Sequence, residues 1–134
     1  VSSEMICSID LLPTLAASAG ISLGRAVDGI DLTPALKGGE LKREALYWHY
    51  PHYSNQGGIP GGAIRMGEYK LFENYEDGTV SLFNLKQDIG ETKDLSGQES
   101  ERTRKMRQKL HAWYKEVDAG FLQPKGDSGM PWHP

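Results

Sequence analysis

Two histidines and four large aromatic residues crowd into seven positions, Tyr47-Trp48-His49-Tyr50-Pro51-His52-Tyr53. Imidazoles change charge near neutral pH and bind metals. Tyrosine and tryptophan offer flat faces with a polar edge, suited to sugar or aryl ligands. Pro51 cannot donate to a β ladder, so a strand ends there and His52 is sent into the glycine-rich segment that follows. The competing reading is a buried aromatic strand whose histidines satisfy local hydrogen bonds. A metal centre needs a third ligand, and none is near in sequence. The following segment, Ser54-Asn55-Gln56-Gly57-Gly58-Ile59-Pro60-Gly61-Gly62, has neither the Lys-Ser/Thr ending of a phosphate loop nor dinucleotide glycine spacing. It reads as a flexible connection in which Asn55 and Gln56 add amide donors for a polar ligand.

Other chemical side chains read as structural. Asp88, Glu91 and Asp94 resemble a calcium-binding carboxylate set but lack the fixed glycine and ligand alternation of an EF-hand, so turn and cap roles are expected. Arg102, Arg104, Lys105, Arg107 and Lys109 interleave with a helical apolar stripe and read as a solvated face. No G-x-S-x-G or H-E-x-x-H motif occurs. Cys7 is the one cysteine, which excludes an intramolecular disulfide and a Cys-rich zinc site. These residues do not describe a self-sufficient enzyme.

Composition narrows the partners. With 15 basic and 18 acidic side chains the net charge is −3, so no domain-wide positive field exists to hold nucleic acid. No apolar run approaches the roughly 20 residues of a membrane span, and the first residues lack a signal-peptide pattern. The 134 residues suffice for one domain. They begin with Val rather than Met, which reads as a piece of something longer.

The elements that would position the aromatic run follow from periodicity. Ile9, Leu11, Leu12, Leu15, Ala16 and Ala19 recur at helical spacing, with Ser8 or Asp10 as cap and Gly20 as stop, predicting a helix from about Ile9 to Ala19. Asp31 to Lys37 reads as a short capped helical turn. Leu46 to Tyr50 reads as a strand, and Gly67-Glu68 and Asp77-Gly78 as hairpin turns joining three more. Leu71, Tyr75, Val80 and Leu82 fall on one face of this sheet and Phe72, Phe83 and Leu85 on the other, so both faces need a cover. A helix from about Gly97 to Ala119, opened by the capping box Ser96-Gly97-Gln98-Glu99 and striped by Met106, Leu110, Trp113 and Val117, covers one. Unless the head helix folds back, the second cover lies in a missing domain. The expected fold class is α+β: a four-stranded antiparallel sheet with a long C-terminal helix packed on one face, preceded by a short helical segment. Residues 1–44 form the helical segment, 45–120 the sheet and helix, and 121–134 an extended tail.

The order of these motifs resembles the C-terminal portion of the type I, arylsulfatase-like sulfatases. The resemblance is carried by Asp10-Leu11-Leu12-Pro13-Thr14-Leu15, by Asp28-Gly29-Ile30-Asp31-Leu32 through Gly38, by Trp48 to Tyr53, by Ala63 to Leu71, and by Leu82-Phe83-Asn84-Leu85 with Asp88, Glu91 and Asp94-Leu95. It implies a parent that hydrolyses sulfate esters with a formylglycine nucleophile beside a calcium ion, both in an N-terminal catalytic α/β domain upstream. Neither group is expected in this chain, because Cys7-Ser8-Ile9-Asp10-Leu11 departs from the C/S-x-P/A-x-R motif at its third and fifth positions. This chain alone is therefore expected to be inactive, with no catalytic residue and no metal ligand of its own. The resemblance further implies that segments leaving the first strand reach the rim of the substrate cleft. His49, His52, Tyr53, Asn55 and Gln56 are accordingly the candidate contacts to a sulfated small molecule or glycan, while Arg65 and Lys70 are expected to be structural. The implied partner is the missing catalytic domain, and the implied compartment is the periplasm or the exterior. The rival readings are a stand-alone glycan-binding module and an interaction domain that self-associates through the uncovered sheet face.

Overall fold

Two tight turns and side-chain alternation build the sheet. The computed structural model describes residues 3–55, 57–124, 126 and 131–134, which group into two units, Val1–Leu46 and Tyr47–Pro134. Strands β1 (Leu46–Tyr50), β2 (Gly61–Met66), β3 (Tyr69–Asn74) and β4 (Val80–Asn84) lie in the order β1-β2-β3-β4. The β2–β3 and β3–β4 pairs are antiparallel. Gly67, at φ 55°, turns the first hairpin with Glu68, and Gly78, at φ 72°, turns the second. Ile64 opposes Leu71, which opposes Leu82, so these three fully buried side chains line one face. Phe72 and Phe83 alternate to the other. The face assignment made from parity holds.

The long helix α3 (Ser100–Glu116) packs on β2, β3 and β4. It starts later than the capping box predicts. Asp94 accepts the amides of Leu82 and Ser96, which folds the chain into a turn before the helix, and Glu99 becomes the N-cap without a capping hydrogen bond from its side chain. Its buried stripe is Thr103, Met106, Leu110 and Tyr114, whereas Val117, beyond the last helical residue, is 47% exposed. Trp113 is half-buried and stacks on Tyr47, 4.9 Å away at 12°. The helix is thus rotated by a fraction of a turn from the predicted stripe, because Tyr114 and Arg107 turn inward to a polar partner described below. Among the described residues, no helix is long and apolar enough to cross a membrane.

In the first unit, a 3-10 turn (Ser8–Asp10) leads into α1 (Leu11–Ser18), and α2 (Thr33–Leu36) follows as one short turn. Asp10 organises all of it. Its fully buried carboxylate accepts the amides of Cys7 (2.8 Å) and Ile30 (3.0 Å) and a bidentate pair of bonds from Arg43 (2.6 and 2.5 Å). Thr14 Oγ1 donates to the Asp10 carbonyl and accepts from the Leu32 amide. Gly29 is required where the loop crosses the turn, since a Cβ there would lie 2.0 Å from the carbonyl oxygen of Ile9. Arg43 hydrogen bonds hold the Asp10 carboxyl down at about 2. Leu11, Leu12 and Leu15 are exposed on the outer side of α1.

Candidate functional site

Strand alternation separates the aromatic run into two sets. Tyr47 and His49 point to the helix side of β1, Tyr47 against Trp113 and His49 against Tyr75, Tyr114 and Phe121. Trp48 (41% exposed) and Tyr50 (50% exposed) point away from it. Pro51 ends the strand as expected, and His52, Tyr53 and Asn55 are exposed in the segment beyond. The His52 ring meets Tyr50 edge-on at 5.5 Å. Tyr53 Oη donates to Glu76 across 3.1 Å, and this bond raises the phenol pKa while tethering the segment. Gln56 lies outside the described residues.

His49 is set apart from the other candidates. Its Nε2 lies 2.8 Å from the Gly120 carbonyl oxygen, which can only accept, and its Nδ1 lies 2.7 Å from Tyr75 Oη. Nε2 therefore carries a proton, while Nδ1 lies within hydrogen-bond distance of the Tyr75 hydroxyl, which itself donates to Tyr114. Both polar atoms are occupied within the protein. The glycine pair expected to be part of a flexible connection is likewise internal: Gly61 and Gly62 begin β2 and are buried. A Cβ on Gly62 would lie 1.8 Å from Tyr114 Oη and 2.5 Å from Tyr75 Oη, so the two hydroxyls sit directly over its backbone.

Behind His49 runs a buried polar network that sequence reading missed. Tyr75 and Tyr114 hydroxyls are 2.8 Å apart, and Tyr114 Oη donates to Glu73 at 3.4 Å. Burial pushes both phenols far above the ordinary tyrosine pKa. Glu73 is fully buried and accepts from Arg107 Nε (2.7 Å) and His111 Nε2 (2.8 and 3.0 Å). Arg107 also donates to the Gly78 carbonyl, so it is not part of the solvated face assigned to it. Among the described residues no buried side-chain nitrogen or oxygen lacks a partner. Glu73 occupies the inward parity between Leu71 and Tyr75, and Arg107, His111 and Tyr114 share one helix face at i, i+4 and i+7. That match was the available signal. Phe121 and Trp132 pack against Tyr75, at 5.2 and 5.9 Å, so these two residues join the aromatic cluster.

Other charged side chains are tied into the protein. Lys70 pairs with Glu91 at 2.7 Å and Arg65 bonds the Gly67 carbonyl. Asp88 accepts the amides of Thr92 and Lys93, which lower its pKa, and Asp94 holds the turn already described. These carboxylates do not fit a calcium site, and among the described residues no group of three His, Cys, Asp or Glu could hold a metal. A groove of about 580 Å³ beside Met66, Tyr69 and Met106 is rimmed by ion pairs, Arg102–Glu99 and Lys105–Glu101. Arg102 also lies over the Tyr69 ring at 3.9 Å. Four of the groove's charged side chains are paired in this way, and the exposed segment after β1 is the candidate site carried forward.

Comparison with known proteins bears on the whole arrangement. Residues 1–119 match the family described as N-sulphoglucosamine sulphohydrolase, C-terminal. A sulfatase of Formosa agariphila is 34% identical over 128 residues, covering 83% of this chain and 23% of that protein. A Delta 4,5-hexuronate-2-O-sulfatase of Bacteroides thetaiotaomicron is 35% identical over 95 residues, 66% of this chain and 19% of its own length. The solved structure of a 2-O GAG sulfatase superposes with a TM-score of 0.70 at 28% identity, over 82% of this chain and 25% of that one. The chain thus spans less than a quarter of the length of these two curated relatives.

Proposed function

Because this chain belongs to the N-sulphoglucosamine sulphohydrolase C-terminal family, we propose that it is the C-terminal subdomain of a sulfatase that hydrolyses carbohydrate sulfate esters. In that enzyme it completes the substrate cleft and stabilises the catalytic domain. We place the formylglycine nucleophile and its calcium ion in the remainder of the enzyme, because the sequence holds no C/S-x-P/A-x-R motif and, among the described residues, no His, Cys, Asp or Glu group could hold a metal. One observation carries the cleft role: His52 and Tyr53 stand exposed on a stretch anchored by β1 on one side and by the Tyr53–Glu76 bond on the other, and exposed Asn55 follows two residues beyond. An anchored polar segment orients its donors before a ligand arrives, which lowers the entropic cost of binding. Gln56 continues the segment and belongs to the same proposal.

The stabilising role is supported by exposed apolar surface. Leu15 is 67% exposed on α1, with Leu11 and Leu12 beside it, and Trp48 and Tyr50 project from β1. Exposed apolar side chains grouped on one element, as on α1, mark surfaces that meet a partner. The catalytic domain is the partner proposed, because the relatives matched are about four times longer than the matched region.

The test is steady-state kinetics of the full-length enzyme and its His52→Ala variant on a panel of sulfated disaccharides and on 4-nitrophenyl sulfate. Loss of one polar contact to the sugar is expected to raise KM for the preferred disaccharide by about tenfold, roughly 1.4 kcal/mol. Unchanged constants would remove the cleft role, and absence of turnover across the panel would remove the sulfatase reading itself.

A further inference from the structure

We propose that His49 is a positioning residue for the substrate edge: it fixes the strand from which His52 projects and makes no contact with substrate itself. The inference rests on the reading of His52 given above and deepens it. Among the described residues strand β1 lies at an edge of the sheet, with a strand neighbour on one side only, so the sheet by itself constrains its end less than it would a central strand. Three residues before His52, the His49 ring removes that freedom. Nε2–H donates to the Gly120 carbonyl beyond α3, and Nδ1 bonds Tyr75 Oη at the end of β3. The ring also stands edge-on to Phe121 at 5.0 Å.

What His49 holds is itself held. Tyr75 bonds Tyr114, Tyr114 bonds Glu73, and Glu73 is clamped by Arg107 and His111 from two turns of α3. Gly62 closes the floor beneath the two hydroxyls. The strand end is therefore referenced to the helix and the sheet core through a chain of directional bonds. Such bonds fix angles as well as distances, which apolar packing does much less strictly. The second anchor, Tyr53 to Glu76, comes four residues later. Between them Pro51 restricts φ, so the direction of His52 follows from the two anchors.

A double-mutant cycle in the full-length enzyme tests this. His49→Gln, His52→Ala and the pair are assayed on the sulfated disaccharide turned over fastest and on 4-nitrophenyl sulfate, which lacks a sugar to reach His52. His49→Gln is expected to raise KM for the disaccharide by about fivefold with kcat within about twofold, and to leave 4-nitrophenyl sulfate nearly unchanged. In the His52→Ala background it should change KM by less than about twofold, because its effect passes through His52. Tyr75→Phe, which removes the hydroxyl that meets both Nδ1 and Tyr114, should reproduce the KM effect. Equal effects of His49→Gln in both backgrounds, an equal fall for both substrates, no effect at all, or failure of both variants to fold would each overturn the inference. If His52→Ala alone has no effect, the cleft role falls first and this inference falls with it. A normal His52→Ala effect with an additive His49→Gln effect removes the positioning role alone.

Discussion

Replacing Asp10 by Asn removes one charge and leaves its partner behind. Arg43 is only 6% exposed at its side chain, so the variant buries a guanidinium without a counter-ion, and Asn offers one oxygen where the carboxylate offered two. Breaking a buried pair from one side costs about 3–5 kcal/mol. The depressed pKa of Asp10 corresponds to a lower figure for the same interaction. A carboxyl held at about 2 against an ordinary 3.8 contributes roughly 2 kcal/mol. The sign is fixed by the direction: the folded pKa is depressed, so this stability is fully present above about pH 4 and is lost as pH falls through about 2. The readout is hydrogen exchange at the Ile30 and Leu32 amides, which bond Asp10 and Thr14. Their protection at neutral pH should fall by about 100-fold in Asp10→Asn, as expected for a local loss near 3 kcal/mol. Adding Arg43→Leu should restore part of the loss by removing the stranded cation. Protection unchanged within twofold, or a double variant worse than the single one, would refute the reasoning that charge burial governs this unit.

Four further outcomes follow from the second unit and can be read by urea unfolding with Trp48, Trp113 and Trp132 as fluorescent reporters. Gly62→Ala should destabilise by about 1–3 kcal/mol, because its methyl group meets two tyrosine hydroxyls already bonded to each other. Glu73→Ala should cost a comparable amount, about 1–3 kcal/mol, by removing the shared partner of the half-buried Arg107 and His111. Leu110→Ala should cost about 2–5 kcal/mol, as either stripe requires, while Val117→Ala stays within about 0.5, and the second result distinguishes the observed helix face from the one periodicity favoured. Trp132→Ala should reduce stability by about 1 kcal/mol through lost stacking on Tyr75; an unchanged midpoint would show that this stacking contributes nothing.

The local features of this protein were legible in its sequence because their causes are local. Gly67-Glu68 and Asp77-Gly78 specify hairpins through backbone conformations available over a few residues, and alternation along Leu71 to Leu82 assigns the sheet faces. Pro51 ends β1 whatever surrounds it. The order of these motifs also sufficed to indicate the family. The rotation of α3 was a different matter. A period of 3.6 residues leaves a broad stripe, within which Trp113 with Val117 and Arg107 with Tyr114 are both acceptable inward sets. Glu73 decides between them, and it lies 34 to 41 residues away from the side chains it selects. The same separation hid the distinction between His49 and His52, three residues apart and alike in chemistry. Sequence could place both near a strand end; only the tertiary structure supplies Tyr75 and the Gly120 carbonyl to occupy both nitrogens of one and leaves the other in solvent. Turns, alternation and caps are written in neighbouring residues, whereas a buried polar network exists only after distant elements meet, because desolvation makes its partners indispensable to one another.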